Sequence, residues 1–208
     1  MSTRASGGQR RQILRAEIVE RATELTRFQP GGEITIRGLA RDLGFPPMSL
    51  YRHVRNRDDL LEEVVDRLLG EVWMPEVPET CWRSWTIEAA DRLRQLLCNH
   101  PVALEVYLRR PVVTGNAILR METMLRVLGV AGLAGDDLER AYSIIHTFTI
   151  GFAALAAARG ADTAPPAGEV ATKLASYTAP ERFLEGLGFL LDGLTREAGG
   201  RGVHDREG

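Results

Sequence analysis

The residues best equipped for chemistry stand in one short run, Pro47-Met-Ser-Leu-Tyr-Arg-His-Val54, which mixes small, soft, aromatic and basic side chains. Reading DNA needs that mixture: small or polar groups near a helix N-terminus reach base edges, while basic and aromatic groups reach phosphates. Arg52 is the one side chain of the run able to grip guanine O6 and N7 with two hydrogen bonds, a contact worth about 1–3 kcal/mol of discrimination. Pro47, Met48, Ser49 and His53 complete the candidate DNA-contacting set of the run. Tyr51 and, just beyond the run, Arg57 are placed for phosphates. Thr35 and Arg37 can donate to the backbone where a helix dipole also favours a phosphate.

Such residues work only if short helices hold them. From Gln9 to Arg27 the apolar positions Leu14, Ile18, Ala22 and Leu25 make one stripe, and Gln29-Pro-Gly-Gly32 ends that helix. Thr35 then serves as N-cap to Ile36, Leu39, Ala40 and Leu43, spaced i, i+3, i+4 and i+7. Gly44 supplies the left-handed C-terminal residue and Pro47 the first position of a third helix carrying Met48 to Val54. Helix, glycine turn, helix is the layout of a helix-turn-helix. Asn56 caps a fourth helix with Asp58 and Asp59 in its positive first turn and an apolar face of Leu60, Leu61, Val64, Val65, Leu68 and Leu69.

Charge supports this division. Through Arg57 there are 11 Arg against five acids, a net +6, whereas the remainder carries 15 basic and 23 acidic residues, a net −8. A basic front on an acidic body implies a polyanion-binding module joined to a part that does not bind polyanions. After the linker Pro75-Glu-Val-Pro78, helical patterns cover Trp82–Cys98, Val102–Leu108, Asn116–Gly129, Asp136–Arg159 and Pro180–Glu197. The expected organisation is a flexible arm (1–8), a DNA-binding domain (9–73), a ligand-binding and dimerisation domain (79–198) and a flexible tail (199–208), with a mobile loop over Gly160–Gly168.

The run from Leu39 through Leu43-Gly-Phe45 to Ser49-Leu-Tyr-Arg-His-Val54, followed by Asn56-Arg57 and Leu60-Leu61, resembles the DNA-binding domain of the tetracycline-repressor family. The likeness continues through Trp82, Asn99-His100, Arg110-Pro111, Phe148-Thr149-Ile-Gly151 and Phe183-Leu-Glu-Gly186-Leu187. It implies an all-α fold with an N-terminal helix-turn-helix domain and a helical-bundle body. It also implies a homodimer in which the last two long helices of each subunit form a four-helix bundle, and a body pocket that sets the spacing of the two reading heads. Pro46-Pro47 departs from the family, which usually places a polar residue there; Pro46 cannot cap through a side-chain oxygen, so methyl contacts carry more of the readout at the first turn. Where tetracycline-sensing members hold a drug-bound magnesium with histidines and an acid, the matching positions here are Trp73, Tyr107 and Leu155, so no metal site is expected.

Trp73, Trp82, Trp85, Tyr107, Met121, Met124, Phe148 and Phe152, with His146 as a polar member, are the candidate ligand contacts, and they suit a flat apolar or aromatic effector. Aromatic residues at helical spacing are also ordinary core fillers, and the sequence leaves open which of them face a cavity. Gly151, Ala153, Ala154, Ala157, Gly186, Leu187, Leu190, Leu191 and Leu194 form small and aliphatic stripes suited to a dimer interface or to a buried face within one subunit.

Gly-rich phosphate loops, His-Glu-x-x-His and Gly-x-Ser-x-Gly motifs are all lacking, so an enzyme is not expected, nor is a cofactor. Cys81 and Cys98 are too few for a disulfide framework. Ile144–Ala158, the longest weakly polar run, is short for a membrane span, and the first residues have no apolar signal segment, which gives the expectation of a cytoplasmic protein without membrane contact. The functional expectation is a ligand-responsive regulator released from a palindromic operator in double-stranded DNA, with an effector-independent or activating dimer as the alternative.

Overall fold

The structure, a computed structural model, describes residues 13–28, 33–72, 81–160, 168, 170, 173–174 and 176–204, the last eight by backbone alone. The N-terminal arm, the Gln29–Gly32 break, Trp73, the Pro75–Pro78 linker, nearly all of the expected 160–168 loop and the last four residues lie outside these. Among the described residues there are nine α-helices and no strand: α1 (Arg15–Phe28), α2 (Ile36–Leu43), α3 (Pro47–Leu50), α4 (Arg57–Glu71), α5 (Trp82–Asn99), α6 (Pro101–Arg109), α7 (Gly115–Val130), α8 (Gly135–Gly160) and α9 (Pro180–His204). A 3-10 turn, Ser176–Thr178, leads into α9. The expected tail therefore continues α9 as far as His204.

Local chemistry sets the reading-head helices. The Leu14 N–H donates to Glu17 Oε2 at 2.9 Å, so the first helix starts at Arg15. Leu14 consequently projects to solvent at 60% exposure, and Ile13 takes the buried place expected for it. Thr35 Oγ1 accepts from the Gly38 N–H at 3.0 Å. Gly44 closes α2 at φ 73°, its N–H reaching the carbonyls of Ala40 and Arg41. Pro46 gives α3 no side-chain cap, and α3 is one turn long, followed by turns through His53 rather than by a helix to Val54. Asn56 Oδ1 accepts from the Asp59 N–H at 2.8 Å and starts α4, whose six expected apolar residues are all buried.

Buried side chains form two clusters. The first joins Ile18, Leu39, Leu50, Val54 and the α4 face to Leu93, Leu96 and Leu97 of α5 and Val102, Ala103 and Val106 of α6. Packing thus runs unbroken from head to body. The second lies between α5, α7, α8 and α9 and includes Trp85, Met124, Val127, Leu128, Ile145, Phe183, Leu187 and Leu191. α8 is long and apolar enough to cross a membrane by length and composition, which the shorter run read from sequence was not; here it packs against α5, α6, α7 and α9.

Candidate DNA-reading and ligand sites

Around α3 the described surface is basic and open. Thr35, Arg37, Pro47, Met48, Tyr51 and Arg52 are exposed, Met48 at 70%, while Ser49 and His53 are half-buried. The His53 carbonyl accepts from Arg15, which ties the end of the recognition turns to α1. Arg37, Arg41 and Arg52 take part in no ion pair among the described residues, unlike Arg15, Arg21 and Arg55, which engage Glu63, Asp42 and Asp59. Free exposed guanidinium groups are available to phosphates and bases. Arg41, one turn after Arg37, was missed by the sequence reading although the same spacing rule would have found it.

Arg57 is the exception among the expected DNA contacts. Its Nη1 and Nη2 lie 3.0 and 3.3 Å from the Glu105 carboxylate of α6, and its Nε donates to the Ile34 carbonyl at 2.9 Å. A guanidinium with its fork already filled by a carboxylate is a tie between head and body, not a free phosphate ligand. The same bond holds the Glu105 carboxyl below the ordinary range.

A cavity of about 320 Å³ lies between α5, α6, α7 and α8. Its walls are Ala89, Ala90 and Leu93 of α5, Tyr107 of α6, the connection Pro111–Val113, Ala117, Ile118, Arg120, Met121 and Met124 of α7, and Tyr142, Ile145, His146 and Thr149 of α8. Val113, Ile118 and Met121 are open to solvent at 73%, 42% and 41%, and Pro111 is also exposed, so the mouth lies along these residues. His146 stacks on Tyr142 with ring centroids 5.3 Å apart and meets Tyr107 at 5.8 Å. Burial lowers the His146 pKa, which keeps the imidazole neutral with one donor and one acceptor, and pushes Tyr107 up to about 12. Among the described residues no group of three His, Cys, Asp or Glu side chains could hold a metal.

Of the expected ligand contacts, then, Tyr107, Met121, Met124 and His146 surround the cavity. Trp82, Trp85, Phe148 and Phe152 do not; they fill or pack against the second core. Phe183 explains why: Phe148 stacks on it at 5.3 Å and Phe152 meets it edge-on at 5.2 Å, while the Arg94 guanidinium lies 5.3 Å from its ring centre. Gly186 permits this, since a Cβ there would stand 2.9 Å from Phe148. Among the expected dimer residues, Leu187 and Leu191 are buried against their own subunit because they repeat the Phe183 position at i+4 and i+8. Gly151 is exposed, Ala154, Leu190 and Leu194 are half-buried, and the large apolar groups open to solvent on α8 and α9 are Leu155, Leu184 and Phe189. The sequence reading did not single out Arg120, Tyr142, Ile118 or the 111–113 connection, which contribute much of the wall.

The fold and its two sites define a class, an all-helical protein whose helix-turn-helix head is packed on a helical body with a ligand-sized cavity. Residues 74–168 match the tetracycline repressor-like C-terminal domain family. An HTH-type transcriptional regulator of Saccharopolyspora erythraea is 33% identical over 135 residues, which are 65% of this chain and 57% of the relative. The HTH-type transcriptional repressor DrrR1 of Streptomyces coeruleorubidus is 28% identical over 72% of this chain and 56% of its own length. The chain spans a little over half the length of these curated relatives. The solved structure of the Streptomyces coelicolor TetR family protein ActR in complex with actinorhodin superimposes with a TM-score of 0.74 at 25% identity, covering 90% of this chain and 99% of that one. The chain is thus similar to tetracycline-repressor-family regulators, by its body over residues 74–168 and by its overall fold.

Proposed function

We propose that the protein is a homodimeric repressor that holds a palindromic operator and releases it when a small apolar or aromatic ligand fills the cavity. The observation that carries this reading is the set of polar ties between α4 and the cavity walls. Glu105, two residues before Tyr107, binds Arg57. Arg110, beside Pro111, binds Glu62 at 3.0 Å and the Asp58 carbonyl at 3.2 Å. Asn116, beside Ala117, donates to Asp66 from its backbone N–H at 2.8 Å and from its amide at 3.1 Å. A ligand that shifts these walls shifts α4 and with it the head. It does so only by the difference in its affinity for the two arrangements.

The named activities of the relatives and the actinorhodin complex of ActR support a DNA-binding, ligand-answering protein. The exposed Leu155, Leu184 and Phe189 on α8 and α9 support a second copy covering that face. The test is selection of binding sites from a random DNA library by the full chain. A two-fold symmetric site is expected, with half-sites about one DNA turn apart or slightly more. Arg52→Ala is expected to relax base preference, and Arg37→Ala and Arg41→Ala to weaken all sites alike and lower the salt slope by about 1 each. Failure to enrich any sequence would refute the reading.

A further inference from the structure

Among the described residues Arg120 is the only charged one in the cavity wall. Among the described residues no carboxylate stands within ion-pair distance of it; its partners are two backbone carbonyls, Val72 at 3.3 Å and Ala89 at 3.4 Å. Both lie beyond the usual hydrogen-bond range. The buried Arg94, by contrast, has Asp91 at 2.7 Å. Asp66, whose charge reaches Tyr107, is already engaged by Asn116. A largely buried guanidinium held only by two long bonds is costly unless an anion completes it. Burial accordingly pulls its pKa down. Around it the described wall is apolar or neutral, with Tyr107, Tyr142, Thr149 and the neutral His146 as the hydrogen-bonding groups.

Taking the ligand-controlled reading above as its basis, we propose that the effector is an aromatic acid. Its rings occupy the apolar space, and its anionic oxygen pairs with the Arg120 guanidinium. Guanidinium prefers such a charged, bidentate partner to a lone carbonyl. The anion therefore competes with the carbonyl of Val72, the C-cap of α4. Charge recognition and release of the head meet in one side chain.

The test uses two fluorescent probes that differ by one acidic group, 8-anilinonaphthalene-1-sulfonate and the neutral N-phenyl-1-naphthylamine, titrated into the full chain. The sulfonate is expected to bind about tenfold or more tighter than the neutral probe. Arg120→Met removes that preference and spares the neutral probe, Arg120→Lys retains part of it, and Ala117→Phe, which fills the wall, weakens both. Equal or weaker sulfonate binding by the wild-type protein overturns the proposal even if Arg120→Met does not fold, as does unchanged sulfonate affinity in a folded Arg120→Met. If Ala117→Phe affects neither probe, binding is elsewhere and the proposal fails. Neutral-probe binding that Ala117→Phe abolishes, without sulfonate preference, removes the acid and leaves the ligand-controlled reading standing. If neither probe binds, both readings are lost.

Discussion

Cutting the Arg57–Glu105 pair separates a head-to-body tie from a phosphate contact. The pair is bidentate, and its side chains are 28% and 30% exposed. Fully exposed pairs are worth about 0.2–1 kcal/mol, and breaking a buried one costs about 3–5. A half-buried fork falls between, so a coupling energy of about 1–2 kcal/mol is expected. Arg57→Met also strands the Ile34 carbonyl, adding about 1 kcal/mol. Glu105→Gln keeps the shape and loses the charge, along with an outlying contact to Arg109 that is 62% exposed and contributes little. Urea unfolding of the two single variants and the double variant closes the cycle. For a chain of this length Glu105→Gln is expected to lower Tm by about 3 °C. Coupling below about 0.3 kcal/mol would refute the tie. So would a fall of about 1 in the DNA salt slope of Arg57→Met at unchanged stability, because that is the mark of a lost phosphate contact.

Thr35→Ala removes the oxygen that accepts from the Gly38 N–H and is expected to cost about 1 kcal/mol, read from the urea midpoint. Gly44→Ala is expected to cost about 1–2 kcal/mol by the same measurement, and by conformation alone, since φ is 73° and a Cβ there would meet nothing within 4 Å. Burial lowers the pKa of both His100 and His146, with Arg27 adding to the effect on His100. Below about pH 6.5 the unfolded chain therefore binds protons that the folded chain refuses, and stability falls as pH drops from 7.5 to 5.5. His146→Asn should shrink that loss in urea midpoints, and an unchanged pH dependence would show that His146 is not the group. Asp42, Asp59 and Glu105, held low by hydrogen bonds to Arg21, Arg55 and Arg57, add their own loss only at more acid pH.

What the sequence made legible was whatever acts within a few residues. Thr35, Gly44 and Asn56 cap their helices through partners three or four positions away, and the α4 apolar face is a matter of period alone. The Arg57–Glu105 pair was not legible because the two residues stand 48 positions apart. Trp85, Phe148 and Phe152 were misassigned for a related reason: side-chain type says that a residue seeks burial, but not whether a core or a cavity receives it. For Phe148 and Phe152, Phe183 decides that question from a helix some thirty residues further on. Leu187 and Leu191 fail similarly, since two stripes on one helix look alike until the neighbour that covers one of them is known.

The same distinction explains why the cavity stands where it does. The first core is continuous from α1 to α6, so the head cannot swing on a free linker; any motion must repack α4 against α6 and α7. Packed cores move between discrete arrangements rather than bending smoothly. An empty space bounded by α6 and α7 is the place where such a rearrangement meets least resistance. The polar ties at Glu105, Arg110, Asn116 and Arg120 stand between that space and α4. Those at Glu105, Arg110 and Asn116 are partly exposed and individually weak, and Arg120 is held by long bonds to carbonyls, so together they are expected to set a bias of a few kcal/mol, a size that the binding of a small ligand can reverse.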